Sequence, residues 1–368
     1  MSTSGGWSPG DPVGWRQFAD LGPMDLELGG HLPEVRVAYE TWGTYTGNNA
    51  VLVQHALTGD AHAAGPAGPG QPTAGWWDAL IGPGKAIDTR RWFVLSSNVL
   101  AGCQGTTGPS SVAVDGKAYG SRWPRITIRD QVSVEVALAD ALGIDHFTAV
   151  MGGSMGGMRT LEWIIQHPER VGTALVMATS ASATADQIAT QSVQIKAIQA
   201  DPDWQHGDYY GTGRAPLAGM GVARRIAHLT YRTERELAAR FGRDHQLGED
   251  ALDDGRFAVE SYLDHQANKL IRRFDPGTYV ALSDAMSLHD VYRGRGLGAL
   301  RNVEVPTRVV GITSDRLYPL YLQQQIADEL GVGLDVVDSP FGHDGFLLED
   351  DTIGAVVSEL LAPTGTPC

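Results

Sequence analysis

Short runs rich in β-branched and aromatic residues alternate along the chain with amphipathic stretches, and Gly, Pro, Asn and Asp punctuate the joins. The runs are VRVAYETWG from Val35, AVLVQHA from Ala50, WFVLSSNVL from Trp92, HFTAVMGG from His146, TALVMATS from Thr173, TRVVGIT from Thr307 and LDVVDS from Leu334. The first alternates like a strand with one face in solvent. Several others are continuously apolar, the pattern of strands covered by helices on both faces. Helical periodicity runs from Arg129 to Leu142, from Met155 to Gln166 and from Leu320 to Leu330. Strand, helix and strand in repetition predict an α/β fold with a mostly parallel central sheet and right-handed crossovers.

The alternation stops after Ser180. From about Ala183 to Val291 the chain reads as successive helices, among them ATADQIATQSVQIKAIQA, MGVARRIAHLTYRTERELAARF and GRFAVESYLDHQANKLIRRF, and strand–helix alternation resumes at Val303 to Thr313. This predicts an α/β core of residues 1–181 and 293–368 with a helical cap, 182–292, inserted between. An insertion at that place commonly covers the C-terminal edge of the sheet, where ligands bind. The Gly/Pro-rich stretch from Ala63 to Gly75 is flanked by strands on both sides and reads as a long loop.

Composition narrows the function. Hydrophobic residues make up 42% and charged residues 19%, enough for a full core, and 28 Lys+Arg against 43 Asp+Glu give a net charge of −15. An acidic surface repels phosphate backbones, so nucleic acid is not expected as a main partner and any anionic ligand needs a local basic patch. No stretch approaches the roughly 18 apolar residues of a membrane span. The N-terminal MSTSGGWSPGDPVGW has neither the basic nor the apolar region of a signal peptide, so a cytoplasmic protein is expected. Cys103 lies mid-chain and Cys368 is the last residue, which argues against a structural disulfide and excludes a tetrahedral cysteine zinc site.

The sharpest local signal is Gly152-Gly153-Ser154-Met155-Gly156. This G-x-S-x-G directly follows an apolar run and directly precedes a helical pattern, the context of a nucleophile elbow. Glycines are needed because the turn brings backbone so close that Cβ atoms would clash, and the serine comes to rest at a helix N-terminus that favours developing negative charge. A serine needs a base, and the base an orienting carboxylate. Downstream, His343 lies in the Gly-flanked loop SPFGHDGF and Asp315 in GITSDRLYP, both just past strands. The order Ser154, Asp315, His343 is that of the α/β-hydrolase fold. Asp338 is the rival carboxylate, less favoured because it is only five residues from His343 on the adjoining strand. Donors for an oxyanion are expected from the amide of Met155 and, in the loop QHALTGDAH after the strand at Ala50, from that of Leu57. His55, Asp60 and His62 in the same loop suggest a turn, not a metal site, and no H-E-x-x-H is present.

HALTGDAH, NVLAGCQGTTGPSS, GGSMGGM, ARRIAHLTY, SDAMSLHDVYRGRG, SDRLYP and GHDGF together closely resemble homoserine O-acetyltransferase of the α/β-hydrolase type, over about Arg36 to Leu361. The combination is more specific than the elbow, which lipases and esterases share. Gln104 in GCQGTTG departs from the Lys or small residue frequent there, without touching the triad. The resemblance implies Ser154, Asp315 and His343 as catalytic residues, Leu57 and Met155 as oxyanion amides, and Arg224, Tyr231 and Asp344 as the amino-acid site. It implies transfer of an acetyl group from acetyl-CoA, a co-substrate, to L-homoserine for methionine biosynthesis, with no metal or bound cofactor, and a homodimer through the cap helices. The chemistry agrees: homoserine presents a carboxylate, an ammonium and a hydroxyl, to be met by a cation, an anion and a base. Of the adjacent Arg224 and Arg225, only one can face a pocket. Succinyl-CoA as donor and serine as acceptor stay open, as do a plain serine esterase and a noncatalytic binding protein of the same fold.

Overall fold

The computed structural model describes residues 4–362; Cys368 lies outside them. Among the described residues the chain forms ten strands and ten α-helices, and strand–helix alternation frames a helical stretch between residues 185 and 287. The strands are β1 (Gln17–Asp25), β2 (His31–Trp42), β3 (Ala50–Gln54), the two-residue β4 (Ile81–Gly82) and β5 (Ile87–Asp88), β6 (Phe93–Ser97), β7 (Phe147–Gly153), β8 (Val171–Met177), β9 (Thr307–Ile312) and β10 (Leu334–Val337). The helices are α1 (Ile128–Ala141), α2 (Met155–Gln166), α3 (Ala185–Gln199), α4 (Leu217–Tyr231), α5 (Glu234–Phe241), α6 (Ala258–Ile271), α7 (Pro276–Ser287), α8 (Leu320–Leu330), α9 (Gly345–Leu348) and α10 (Asp350–Leu360).

Eight strands form one sheet in the order β1-β2-β6-β3-β7-β8-β9-β10. β2 pairs antiparallel with β1 and β6, and every other pairing in this sheet is parallel. The continuously apolar strands are those with cover on both faces. In β3, Ala50 and Leu52 join one hydrophobic cluster while Val51 and Val53 join the other; in β8, Ala174 and Val176 separate from Leu175 and Met177 in the same way. Successive side chains of a strand point to opposite faces, so a run with no polar position has no face left for water.

The edge strand β1 departs from the sequence expectation, which placed no strand there. Gly22 and Pro23 interrupt QFADLGPMD, and the ladder with β2 carries irregularities on both sides of Gly22. An edge strand tolerates both residues because only one side of it is paired. The run expected as one helix from Met220 to Phe241 is two: Arg232 is extended, and the Thr233 hydroxyl accepts the Glu236 amide to start α5. Elsewhere observed bounds lie close to the periodic stretches.

Between β8 and β9 the chain forms α3 to α7 and, among the described residues, contributes no strand to the sheet. α4 packs on α3 and α6 and reaches the turn at Gly342–Asp344, which brings this helical segment to the C-terminal ends of the sheet strands. No helix among the described residues is long and apolar enough to cross a membrane.

Candidate active site

Ser154 stands between β7 and α2 with φ +57° and ψ −124°, a conformation rare outside glycine. Its surroundings explain each glycine of the motif. A Cβ on Gly152 would lie 2.5 Å from the Gly156 backbone, one on Gly153 2.4 Å from the Phe346 ring, and one on Gly156 2.1 Å from the Gln54 carbonyl oxygen. The last contact also sets the first turn of α2 against the end of β3, so the loop after β3 begins beside the serine. The Ser154 amide donates to the Met177 carbonyl at 3.0 Å, tying the elbow to β8.

The loops after β9 and β10 deliver the two partners. His343 Nε2 is 2.9 Å from Ser154 Oγ, and His343 Nδ1 is 2.7 Å from Asp315 Oδ2. All three residues are buried. The other Asp315 oxygen accepts the amides of Leu317 and Tyr318 at 2.9 and 2.8 Å, which fixes the carboxylate. Ser314 joins the two loops, its hydroxyl donating to the Ser339 carbonyl and accepting the Gly342 amide. Asp338 is exposed and accepts the Thr313 hydroxyl, so the rival carboxylate lies away from the imidazole's partner. The rings of Tyr231, Tyr318 and Phe346 surround the imidazole with centroids at 5.7, 5.2 and 5.4 Å. Burial pulls the His343 pKa down, but the charge and hydrogen bond of Asp315, with a smaller push from Asp344, carry it above the ordinary histidine value.

A cavity of about 260 Å³ opens over Ser154 and His343. Leu57 lines it on one side, and Met155, the first residue of α2, has its N–H among those that a helix start leaves without an intrahelical partner. Arg224, Tyr231 and Asp344 line it too, so all the expected residues converge at or beside one site. Arg224 lies over the Tyr231 ring at 5.4 Å, and its buried Nε and Nη1 have no hydrogen-bond partner. Arg225 turns away and pairs with Asp264 of α6. The Asp344 side chain caps no helix; its carboxylate is 3.4 Å from Arg232 Nε. Burial raises its pKa, against the pull of Arg232, His343 and Arg224.

Two cavity arginines went unread in the sequence. Arg232 follows the last residue of α4, and Arg273 donates from Nη1 to the Thr58 carbonyl at 2.8 Å while its buried Nε lacks a partner. Adjacent pairs, Arg224-Arg225 and Arg272-Arg273, were the available signal, but which member turns inward depends on packing. Size alone would have misled as well: a larger cleft of about 710 Å³, lined by Trp7, Arg36, Thr107 and Val114, contains none of these groups.

The loop histidines have other partners. His62 Nδ1 meets Glu40 at 2.8 Å and His55 bonds within its own turn, and among the described residues no cluster of His, Cys, Asp and Glu could hold a metal ion. Burial pushes the Cys103 thiol up to about 12, far from nucleophilic thiolate chemistry.

The family model of the alpha/beta hydrolase fold matches residues 49–350. A homoserine O-acetyltransferase of Mycolicibacterium smegmatis is 58% identical over 347 residues, 93% of this chain and 91% of that protein. The crystal structure of homoserine O-acetyltransferase from Bacillus anthracis superposes with a TM-score of 0.85 at 26% identity, covering 95% of this chain and 97% of that one. Esterase E22 superposes with a TM-score of 0.86 at 27% identity, covering 94% and 99%. The chain belongs to the homoserine O-acetyltransferase family of α/β-hydrolase-fold proteins.

Proposed function

We propose that this protein transfers an acetyl group from acetyl-CoA to the hydroxyl of L-homoserine through an acyl-enzyme on Ser154, giving the O-acetyl-L-homoserine used in methionine biosynthesis. The observation that carries the acceptor is Arg224, whose buried Nε and Nη1 have no hydrogen-bond partner and which shares a cavity with the Asp344 carboxylate and Ser154. A cation and an anion beside a nucleophile suit a zwitterionic amino acid, and an esterase for simple acetyl esters has no need of either. The names of the closely similar relatives support the same reading.

In the first half-reaction Ser154 Oγ attacks the thioester carbon while His343 Nε2 takes its proton and Asp315 steadies the imidazolium. The amides of Leu57 and Met155 receive the oxyanion. Collapse breaks the C–S bond, and CoA leaves as the thiol with the proton from His343. The homoserine hydroxyl, its carboxylate held by Arg224 and its ammonium by Asp344 against the Tyr231 wall, then attacks the acetyl group with His343 again as base; collapse breaks the C–O bond to Ser154 Oγ, which recovers the proton from His343, and O-acetyl-L-homoserine leaves. Neither half-reaction consumes a metal or redox cofactor. Residues 182–292 act as a cap that limits water, and the apolar side chains that α3 and α4 leave exposed, among them Val193, Val222 and Leu229, suit a homodimer contact.

The likeness to esterase E22 favours one second reading, hydrolysis with water as acceptor. Steady-state rates with acetyl-, propionyl- and succinyl-CoA against homoserine, serine and water separate them. The expected maximum is acetyl-CoA with homoserine. Thioester cleavage that is unaffected by homoserine would assign the protein to hydrolysis, and a maximum with succinyl-CoA or serine would replace the donor or acceptor named here.

A further inference from the structure

His55 is buried in the loop after β3, one residue before the peptide that carries the Leu57 amide, and the acyl-transfer steps leave it without a task. Its ring acts on that peptide directly. The Ala56 carbonyl faces His55 Nδ1 at 2.8 Å and accepts the Gly59 amide at 2.9 Å. The Ala56–Leu57 peptide is trans, so its C=O and N–H point in opposite directions. Holding the oxygen toward the turn therefore aims the Leu57 N–H away from it, on the side open to the cavity that Leu57 shares with Ser154.

The other ring nitrogen decides the tautomer. The Val99 amide donates to His55 Nε2 at 3.1 Å, which makes Nε2 the acceptor and leaves the proton on Nδ1. Burial, with the nearby charge of Arg159, pushes the imidazole pKa down to about 3, so the ring stays neutral and keeps this single arrangement. The turn is braced around it. Arg159 donates to the His55 carbonyl, Arg273 donates to the Thr58 carbonyl at 2.8 Å, and a Cβ on Gly59 would lie 2.7 Å from His55 Cβ.

We propose that His55 is a positioning residue for the oxyanion hole, its Nδ1–H holding the Ala56 carbonyl so that the Leu57 amide faces the acyl oxygen on Ser154. The proposal rests on the acyl-enzyme reading above. It does not depend on the acceptor, so it is tested on acylation alone. Rapid-mixing measurements of p-nitrophenolate release from p-nitrophenyl acetate give a maximal acylation rate and a half-saturating concentration for the wild type and for His55→Leu, His55→Gln and His55→Asn. Asparagine places an N–H near the position of Nδ1, glutamine reaches only toward Nε2, and leucine offers neither.

The maximal rate is expected to fall about ten- to a hundredfold in His55→Leu and His55→Gln, at or below the 10²–10³ seen when an oxyanion donor is deleted outright. The half-saturating concentration stays near the wild-type value, and His55→Asn recovers most of the rate. Thermal melting shows which variants are folded; if leucine is not tolerated, the asparagine and glutamine pair decides. Folded His55→Gln acylating like the wild type, or His55→Asn falling as far as His55→Gln, would overturn the proposal and leave His55 a packing residue. A wild-type protein that neither the ester nor a fluorophosphonate labels on Ser154 would instead defeat the underlying acyl-enzyme reading.

Discussion

Gly342 and Tyr231 touch backbone to backbone: a Cβ on Gly342 would lie 2.5 Å from the Tyr231 carbonyl oxygen, and the glycine itself has φ +66°. The end of α4, which carries the proposed acceptor site, is thereby set at a fixed distance from the loop that carries His343. Gly342→Ala must both strain its own backbone, at roughly 1–2 kcal/mol, and push these two segments apart. The expected result is a lower melting temperature together with a kcat reduced at least tenfold, since a displacement near 1 Å can cost about 10²-fold. A lowered melting temperature with kcat intact would mean that the contact serves stability only.

Ser154→Ala is expected to reduce thioester cleavage below about one part in a thousand, the residue of binding and oxyanion stabilisation alone. Folding should survive, because the small side chain makes little packing contact. The strained backbone offers a second reading of the same site. Ser154→Gly, which accommodates φ +57° freely, is expected to be more stable than Ser154→Ala by about 1 kcal/mol. Chemical denaturation of the two variants checks the difference, and activity retained in either removes Ser154 from the nucleophile role.

The legible part of this molecule is the part governed by local rules. Continuous apolar runs mark strands with two covered faces, and the glycines around Ser154 are dictated by contacts within and just beside the elbow, so both could be read from the chain. The order of Ser154, Asp315 and His343 could be read because each falls at a strand end. What escaped depends on long-range packing. β1 is held by pairing with β2 in spite of Gly22 and Pro23, and Arg273 reaches the Thr58 carbonyl across 215 positions of sequence. His55 was legible as a turn residue, but the direction in which its ring holds a peptide was not, because that needs Val99 from another segment.

Behind the elbow, Arg159 and Glu135 form an ion pair at 2.6 Å with both side chains buried. Glu135 also accepts from Trp163, Gln54 and Ser97. Arg159→Met leaves this carboxylate without its cation and is expected to destabilise the fold by about 3–5 kcal/mol. Adding Glu135→Met should recover only part of the loss, because the three neutral donors then lack their acceptor. Urea unfolding of the single and double variants tests this; a single variant as stable as the wild type would show that the carboxylate is satisfied by its neutral donors alone.

His343 must be neutral to accept a proton, and its pKa is raised by Asp315 and to a smaller extent by Asp344. Acylation should therefore decline as pH falls through a value above the ordinary histidine pKa near 6.5. Removing a negative charge that favours the imidazolium lowers that pKa, so Asp344→Asn is expected to move the acid limb of the acylation profile to lower pH. The measurement is the acylation rate by acetyl-CoA against pH for both proteins. An unmoved limb would show that Asp344 does not act on the imidazole.

Arg224 and Arg225 are neighbours in sequence with opposite surroundings, and they separate acceptor binding from stability. Arg224 keeps two buried nitrogens free in the cavity, whereas Arg225 is spent on Asp264. If Arg224 holds the acceptor carboxylate, its loss removes a charge-assisted hydrogen bond of about 1.5–3 kcal/mol. Arg224→Ala should then lower kcat/KM for homoserine by roughly ten- to a hundredfold. Acylation by acetyl-CoA should be nearly unchanged, because the donor thioester is attacked before the acceptor is engaged. Arg225→Ala loses a partly exposed ion pair, so it is expected to cost at most about 1 kcal/mol of stability and to leave both half-reactions alone. Single-turnover acylation, followed by transfer to homoserine from the trapped acyl-enzyme, measures the two steps apart. Equal slowing of both steps in Arg224→Ala would move that arginine to the acyl donor or to the packing of α4, and the acceptor carboxylate would then have to be met by Arg273 or Arg232.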